Sequence, residues 1–458
     1  MNRTTTLLAA AAVLTLVALL TQGTRATSST TASTPARPST PSTVAAAPVA
    51  SAAGTLSFTV ASTHQLLSTN GGDAWAVVDV TASKDDVAPQ RVSLAVVIDV
   101  SGSMAGDKMI QAKHAARALV DRLSDDDQLA LIAFSDGART WPLSRMDYVG
   151  RSQALRWIEQ LGPEGSTNIS AGLVAGEEAL LHSSGSKRLV LVSDGKATTG
   201  DIDRGSLERR AMATHERGTT LTAIGVGDDF DPGLMRGLAQ SGGGFYGDLR
   251  QPEALEVVLA QELELARKPL ARNVTLELTP GSEVLVVSAA GRTLLPGSTV
   301  TLPDFAAGAT ARVLVKLQHF PGLGAVTLLS PKLSWTNPAG AREAAQASVV
   351  VARSEDAVAV AGSRDEALYA DVARAFGNEQ LVLASEALER GDRSSALGLL
   401  DHARAMFGTS ADALAGEDAV ISDTKKRWQS GSYDAKRESK DAMKKSLKTF
   451  GETNNYAY

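Results

Sequence analysis

From residue 91 to residue 268 the sequence alternates short apolar runs, rich in β-branched residues, with longer stretches that carry apolar residues at helical spacing. The short runs predict strands at residues 92–98, 128–134, 188–192, 221–226 and 245–249. The longer stretches predict helices at residues 107–123, 148–161, 168–181, 203–217, 232–240 and 252–266. Because strands that alternate with helices form a mostly parallel sheet with helices on both faces, this region predicts an open, Rossmann-like α/β domain over residues 91–268.

A different pattern flanks this domain on both sides. Residues 56–60 and 75–81 are strand-like, and from residue 271 polar and apolar residues alternate again. The later strands are predicted at residues 274–279, 283–288, 311–317, 326–335 and 347–352, with Gly and Pro turns between them. Five such strands are typical of a small antiparallel sandwich. The two early strands lack partners of their own, so we expect residues 54–90 to join residues 269–355 in one β-sandwich into which the α/β domain is inserted.

Helical patterns return over residues 356–450, and residues 451–458 are expected to form a flexible tail. Residues 384–400 resemble a single tetratricopeptide-type hairpin, too little for a solenoid, and we expect them to pack against the sandwich. Residues 425–448 hold nine Lys or Arg against three Asp or Glu, which we interpret as a solvated helical face. Since the whole chain has a net charge of −6, its charge predicts no nucleic-acid partner.

The first 53 residues predict export. Arg3 precedes an apolar run at residues 7–20, and Thr24 and Ala26 have the spacing of a small-x-small cleavage site. Residues 1–26 are therefore expected to be a signal peptide or, if uncleaved, an N-terminal anchor to a membrane or envelope. Residues 27–53, rich in Ser, Thr, Pro and Ala, predict a disordered linker. The chain has no cysteine, which excludes a disulfide-linked partner, thiolate metal ligands and a cysteine-linked lipid anchor.

Acidic and hydroxyl side chains lie at the predicted strand ends of the α/β domain. Asp99, Ser101 and Ser103 come directly after the first strand, Thr167 precedes a helix, and Asp194 follows the strand at residues 188–192. The carboxyl ends of parallel strands meet at one edge, where open α/β sheets bind ligands. Two carboxylates and three hydroxyls form an oxygen-only set suited to Mg²⁺, with Mn²⁺ or Ca²⁺ as alternatives. So few charged ligands leave the ion residual positive charge and a position that an external carboxylate can fill.

Other roles for these residues stay open at this point. Asp and Ser are common helix N-caps, so the loop after Asp99, Thr167 and Asp194 each have a purely structural interpretation. A hydrolase using Ser101 or Ser103 as nucleophile would need a placed base and a Gly-x-Ser-x-Gly elbow, and the sequence has neither. A phosphoryl transferase centred on Asp99 lacks a second acid two residues on. The histidines show no metal-ligand spacing; they are His64, His114, His182, His215, His319 and His402.

Three motifs resemble those of the von Willebrand factor A domain: Asp99-Val100-Ser101-Gly102-Ser103-Met104, Gly165-Ser166-Thr167-Asn168 and Ser193-Asp194-Gly195. The likeness covers residues 92–266, and the flanking segments are similar to those of bacterial extracytoplasmic proteins in which a β-sandwich brackets the A domain. The resemblance implies a metal-ion-dependent adhesion site in which Ser101 and Ser103 bind Mg²⁺ directly. It implies that Thr167 binds the ion directly or through water, and that Asp99 and Asp194 act mostly through water.

These patterns lead to one favoured functional hypothesis. We expect a non-enzymatic, exported protein, located in a bacterial periplasm, in the cell envelope or outside the cell, that binds a protein partner whose Asp or Glu completes the Mg²⁺ shell. An alternative is a structural envelope component in which the metal site is vestigial or only stabilising. A metal-dependent phosphatase or other hydrolase is a third and less favoured alternative.

Overall fold

The computed structural model describes residues 49–430 apart from residues 195, 228–229, 250–253, 290–291, 294–298 and 409–412, and it also describes residues 438, 439 and 442. The predicted export segment at residues 1–26, most of the predicted linker and the predicted tail at residues 451–458 lie outside the described residues. Within the described part of the chain, no helix combines the length and the apolar character needed to cross a bilayer.

The secondary-structure elements of the described residues fall into four groups along the chain. The N-terminal strands are β1 (Val49–Ala53), β2 (Leu56–Ser62), β3 (Leu66–Ser68) and β4 (Gly72–Ala82). The α/β domain contains β5 (Val92–Asp99), α1 (Asp107–Arg122), β6 (Gln128–Phe134), β7 (Ala138–Arg145), α2 (Tyr148–Glu159), α3 (Ile169–Leu180), β8 (Ser186–Ser193), α4 (Arg204–Glu216), β9 (Thr219–Val226), α5 (Pro232–Ser241), β10 (Gly243–Leu249) and α6 (Leu255–Arg267). The later strands are β11 (Arg272–Pro280), β12 (Val284–Ala289), β13 (Arg292–Thr293), β14 (Thr299–Leu302), β15 (Thr310–His319), β16 (Ala325–Thr336), β17 (Arg342–Gln346) and β18 (Val349–Ser354). The C-terminal helices are α7 (Ala357–Gly362), α8 (Glu366–Glu389), α9 (Arg393–Phe407) and α10 (Ala415–Gln429).

The sheet of the α/β domain is six-stranded, in the order β10-β9-β8-β5-β6-β7, and only the edge strand β7 runs antiparallel to its neighbour. Strand β5 is buried on both faces because its side chains alternate between two helical layers. Leu94, Val96 and Ile98 pack with α1, α2 and α6, whereas Ala95 and Val97 pack with α3, α4 and α5. The predicted fold class is therefore confirmed.

The strand order changes direction at β5. The chain passes from β5 to β6 on one side and then returns to add β8 on the other side. Crossovers that leave in opposite directions open a crevice at the carboxyl ends of the two central strands, which is where open α/β sheets bind ligands. Asp99 ends β5, and Asp194 directly follows β8. The topology thus brings both acids to the same crevice.

The flanking strands form a two-layer sandwich. One sheet has the order β1-β2-β4-β15-β12-β13, and the other has the order β14-β11-β16-β18-β3 with β17 beside β16. Their inner faces share one core that includes Phe58, Val78, Leu276, Val313 and Trp335. Since β4 pairs with β15 along its whole length, strands from before and after the α/β domain complete one sheet. The predicted insertion is confirmed.

Several details of the sandwich differ from the sequence-based expectations, among them three strands that had no predicted counterpart, β13, β14 and β17. The predicted linker extended to residue 53, but Val49–Ala53 form β1, paired antiparallel with β2. Small residues suffice there because the pairing uses backbone groups at the edge of a sheet whose core is already filled by its neighbours. The expected sandwich was antiparallel throughout, yet β3 pairs parallel with β18. Strand β3 has only three residues, which are too few to show the alternation of polar and apolar residues that predicts a strand.

Both ends of the inserted domain are joined at its base, opposite the crevice. The backbone N–H of Gln90 donates to the carbonyl of Arg267 at 2.9 Å, so the entering and leaving chains touch. The Arg267 guanidinium also donates to Asp127 at 2.9 Å, and Asp127 in turn accepts from the backbone of Val92 at 2.9 Å. Entry strand and exit helix are thereby fixed to each other.

A buried ionic cluster joins the domain to the sandwich near the same end. Arg188 on β8 is 1% exposed, and its Nη2 lies 2.9 Å from Oδ2 of Asp304, between β14 and β15. Glu262 on α6 lies 4.0 Å from Arg188 Nη1 and accepts from Thr222 Oγ1 at 2.7 Å. Thr220 donates to Asp304 at 3.1 Å. Two acids therefore share one guanidinium in a space closed to water.

Helix α8 contacts both the sandwich and the α/β domain, whereas residues 384–400 were expected to pack against the sandwich. Near its middle, Phe376 stacks edge-on against Trp75 of β4, with ring centroids 5.8 Å apart. At its end, Glu386 pairs with Arg204 of α4 at 3.4 Å. Helices α8 and α9 form the predicted hairpin over their own apolar core, which includes Leu388 and Phe407. A 24-residue helix is long enough to reach from one part to the other.

Candidate metal centre

Four of the five predicted site residues are joined by hydrogen bonds in the crevice. The hydroxyls of Ser101 and Ser103 lie 3.0 Å apart, and Ser103 Oγ donates to Asp194 Oδ1 at 2.7 Å. The backbone N–H of Ser101 donates to Asp99 Oδ1 at 2.8 Å. Ser103 and Asp194, which are 91 positions apart in sequence, therefore meet because β5 and β8 are neighbours in the sheet.

Asp99 forms the buried floor of the site. Its side chain is fully buried, and its second oxygen accepts from Ser193 Oγ at 2.5 Å. Burial raises the pKa of Asp99, an effect that the nearby Asp194 charge reinforces and that hydrogen bonds from Ser193 and Ser101 oppose. A cation bound at this edge would relieve the cost of burying the two carboxylates.

Thr167 is brought to the same edge through its loop. The N–H of Gly102 donates to the carbonyl of Gly165 at 3.2 Å, and the N–H of Glu164 donates to the carbonyl of Val100 at 2.6 Å. These bonds tie the Thr167 loop to the loop after β5. Thr167 itself is 5% exposed.

The loop after β8 meets Thr167 from the other side. The N–H of Thr167 donates to Thr198 Oγ1 at 3.1 Å, and the N–H of Thr198 donates back to the carbonyl of Thr167 at 2.9 Å. All three predicted loops therefore lie side by side.

The purely structural alternative of helix capping does not describe these residues. Helix α1 begins after Gly106 with no side-chain cap, so neither Ser101 nor Ser103 caps it. The cap of α3 is Asn168, whose Oδ1 accepts from the N–H of Ala171 at 3.0 Å, rather than Thr167. The hydroxyls of Ser101, Ser103 and Thr167 therefore cap neither of these helices.

Sequence reasoning missed Lys108, on the first turn of α1. Its ammonium forms an ion pair with Asp194 Oδ2 and donates to the backbone carbonyl of Ser103 at 3.3 Å. A signal existed, because a residue five positions after Ser103 on a helix that starts at this edge stays near it. Ser193 and Thr198, which hold Asp99 and Thr167, were also given no role.

The donor set fits a hard divalent cation. It consists of two carboxylates and three hydroxyls, the oxygen ligands that Mg²⁺, Mn²⁺ and Ca²⁺ accept. Among the residues that the structure describes, no group of three or more His, Asp or Glu side chains could form a metal cage. The crevice is open at Ser103, which is exposed, and closed at the two acids. An ion held there would have few anionic ligands and one side toward solvent.

Comparison with known proteins agrees with the topology. Residues 93–261 match the family model of the von Willebrand factor type A domain. This chain contains a von Willebrand factor type A domain. The matched span begins in β5 and ends within α6, so it includes every residue of the candidate site. Domains of this family often bind partners through a metal site.

The relatives share the A domain at moderate identity. Inter-alpha-trypsin inhibitor heavy chain H2 of Mus musculus is 29% identical over 203 residues, which are 42% of this chain and 21% of that protein. An uncharacterized protein of Synechocystis sp. is 31% identical over 212 residues, which are 45% of this chain and 50% of that protein. This chain spans about a fifth to a quarter of the length of the first curated relatives that it matches.

One solved structure shares the fold beyond the A domain. The von Willebrand factor type A protein from Catenulispora acidiphila aligns with a TM-score of 0.64 at 20% identity, covering 86% of this chain and 96% of that one. Since the A domain is less than half of this chain, the likeness includes flanking segments as well.

Proposed function

We propose that this chain is an exported, non-enzymatic protein that binds a protein partner through a Mg²⁺ ion at the crevice of the A domain. Ser101 and Ser103 would contact the ion directly, Thr167 directly or through water, and Asp99 and Asp194 through water. An Asp or Glu of the partner would complete the shell. Mn²⁺ or Ca²⁺ could replace Mg²⁺, since all three accept the same oxygen donors.

The observation that carries the proposal is the hydrogen-bonded row from Ser101 through Ser103 to the buried Asp194. Three neutral hydroxyls, of which Ser103 is exposed, and two buried carboxylates give a cation few formal charges. Such an ion keeps its attraction for an external carboxylate, which a cage rich in Asp and Glu would not.

The extracytoplasmic location and the bacterial envelope setting rest on the N-terminal sequence alone. A Ser, Thr, Pro and Ala-rich linker behind an apolar segment would hold the A domain away from a membrane or wall surface. The alternative of a structural envelope component with a stabilising or vestigial metal site predicts a different result in the experiment below.

The first test is Mg²⁺ binding by isothermal titration of the full chain. The wild type should bind one equivalent of Mg²⁺, and Asp99→Ala and Ser101→Ala should each lose binding by about tenfold or more, since each removes a group that holds the ion. Ser152→Ala is the matched control, because its exposed hydroxyl on α2 bonds only within its own helix. No binding by the wild type would remove the site assignment.

The second test asks whether the ion serves a partner. Pull-down from an envelope fraction should recover a protein with Mg²⁺ that is lost with EDTA and with Asp99→Ala, while Ser152→Ala retains it. If Mg²⁺ binds and raises the melting temperature but every captured protein is retained by Asp99→Ala, the site is only stabilising. Phosphatase and esterase assays with Mg²⁺ should show no turnover.

A further inference from the structure

Lys108 adds a positive charge to the candidate metal centre. Its ammonium forms an ion pair with Asp194 Oδ2, on the carboxylate whose other oxygen accepts from Ser103. It also donates to the carbonyl of Ser103 at 3.3 Å. The ammonium therefore lies on two of the residues proposed to serve the divalent ion.

This ion pair differs from the exposed pairs elsewhere on the chain. The Asp194 side chain is fully buried and that of Lys108 is 23% exposed, whereas Arg145 and Asp126 are 59% and 73% exposed. Exposed pairs contribute little because water screens both charges. A buried carboxylate depends on its partner much more, because losing the partner leaves an uncompensated charge.

The aliphatic part of the Lys108 side chain packs beside Gly227 at the crevice. A Cβ added to Gly227, whose φ is +81°, would lie 2.9 Å from Lys108 Cε, so a glycine there leaves room for the stem. Lys108 lies on the first turn of α1, and four rotatable bonds separate its ammonium from the backbone. The head group can leave Asp194 without a change in the helix.

We propose that Lys108 is an internal counter-ion that competes with the divalent cation for Asp194 and is displaced when the cation binds. This inference rests on the proposed metal site. An ion held by Ser103 and Asp194 would share that carboxylate with the ammonium, and two positive charges a few ångströms apart repel. Lys108 thus weakens metal binding by the A domain alone, and a partner carboxylate restores the balance of charge. Metal and partner binding become coupled.

The decisive comparison is between Lys108→Met and the wild type in Mg²⁺ titration of the full chain. Methionine keeps an unbranched stem over Gly227 and removes the charge, so Mg²⁺ affinity should rise by about tenfold or more. Lys108→Arg keeps the charge and should stay within about threefold of the wild type. Lys113→Met is the matched control on the same helix, since its amine bonds to the carbonyl of Glu159 instead.

A second readout needs no variant. In the wild type, mass-spectrometric acetylation of the Lys108 amine should become at least about twofold faster when Mg²⁺ is saturating, because the displaced ammonium is freer. The acetylation of Lys113 should not change. This measurement tests whether Mg²⁺ displaces the Lys108 ammonium even if Lys108→Met does not fold.

The outcomes separate the inference from the function on which it rests. If the wild type binds Mg²⁺ but Lys108→Met binds it no more tightly, or Lys108 acetylation ignores saturating Mg²⁺, the counter-ion role is wrong and the metal site stands. If the wild type binds no Mg²⁺, the proposed function fails and this inference fails with it. Tighter binding by Lys108→Met with faster acetylation in Mg²⁺ supports it.

Discussion

Asp99 combines a functional demand with a cost to the fold. It is fully buried and its two oxygens accept from Ser101 N–H and Ser193 Oγ. Hydrogen bonds from neutral groups only partly replace lost hydration of a carboxylate. We attribute the buried carboxylate to function, and the stability of the rest of the fold offsets the free-energy cost of burying it.

We therefore expect Asp99→Asn to stabilise the protein in EDTA at neutral pH. Because the pKa of Asp99 is raised in the folded protein, its contribution to stability is complete below the ordinary Asp value of about 3.9 and is lost as the pH rises through the folded value. Asparagine does not ionise, so the free energy of unfolding of Asp99→Asn should exceed that of the wild type by an amount that grows from pH 4 to pH 7 and reaches about 1–3 kcal/mol.

Thermal unfolding in EDTA between pH 4 and pH 7 measures this advantage, with Asp147→Asn, an exposed cap of α2, as the control. A wild type that is more stable than Asp99→Asn at pH 7 in EDTA would contradict the expectation.

At the scale of elements, α3 fixes where Thr167 lies. Its Gly172 and Gly176 face the sheet, and a Cβ on Gly176 would lie 2.8 Å from both Leu189 and Val97 side-chain carbons. The two glycines bring the helix unusually close to β5 and β8. The loop that carries Thr167 leads directly into this helix, so the close packing of α3 against the sheet positions Thr167 at the crevice.

Gly176→Ala should therefore destabilise the protein by about 1–3 kcal/mol through overpacking, although alanine favours helices. Gly398→Ala is the matched control, because a Cβ there meets nothing within 4 Å on the exposed face of α9. It should stabilise the protein by up to about 1 kcal/mol. Urea unfolding of both variants checks the opposite signs; destabilisation of equal size by both would show that helix packing is not the cause.

The elements were predictable where their periodicity was long, as in β5 and α1. The five site residues could be proposed from sequence because each lies beside a strand end or a helix start that the pattern marks. Lys108 was missed because its spacing from Ser103 places it near this edge but does not give the rotation of α1, and without that rotation a lysine on an amphipathic helix looks like any solvated residue. Strands β1 and β3 were missed because backbone pairing at a sheet edge, and not side-chain alternation, defines them.

At the scale of the whole molecule, the Arg188 cluster bridges the A domain and the sandwich. One guanidinium faces Asp304 and Glu262, and His215 lies close enough for its charge to couple to Arg188 and Asp304. Burial raises the pKa of Glu262, with Asp304 adding to the effect and Arg188 and Thr222 opposing it. A protonated Glu262 leaves Arg188 and Asp304 as a neutral pair.

Glu262→Gln imitates that protonated form and should stabilise the protein at high pH. With a raised pKa in the folded protein, the contribution of Glu262 to stability is full below the ordinary Glu value of about 4.3 and is lost at higher pH. The variant should match the wild type near pH 4 and exceed it by about 1–3 kcal/mol at pH 8.

Thermal unfolding across this range is the measurement, and Glu264→Gln, which is 69% exposed on the same helix, should change little. A Glu262→Gln advantage that shrinks as the pH rises would show that Glu262 is charged and stabilising in the fold.

The bond between Gln90 and Arg267 bears on the order in which the chain folds. Thr81 of β4 pairs with Thr310 of β15, and closing the flexible loop of roughly 230 residues between them costs about 4–5 kcal/mol in chain entropy. An A domain that has already folded holds its two ends within one hydrogen bond and so removes residues 91–267 from that loop. The contacts within the A domain join residues that are closer in sequence than β4 and β15 are, so we expect the A domain to fold first. The inserted domain then acts as the staple that brings the two halves of the sandwich within reach of each other.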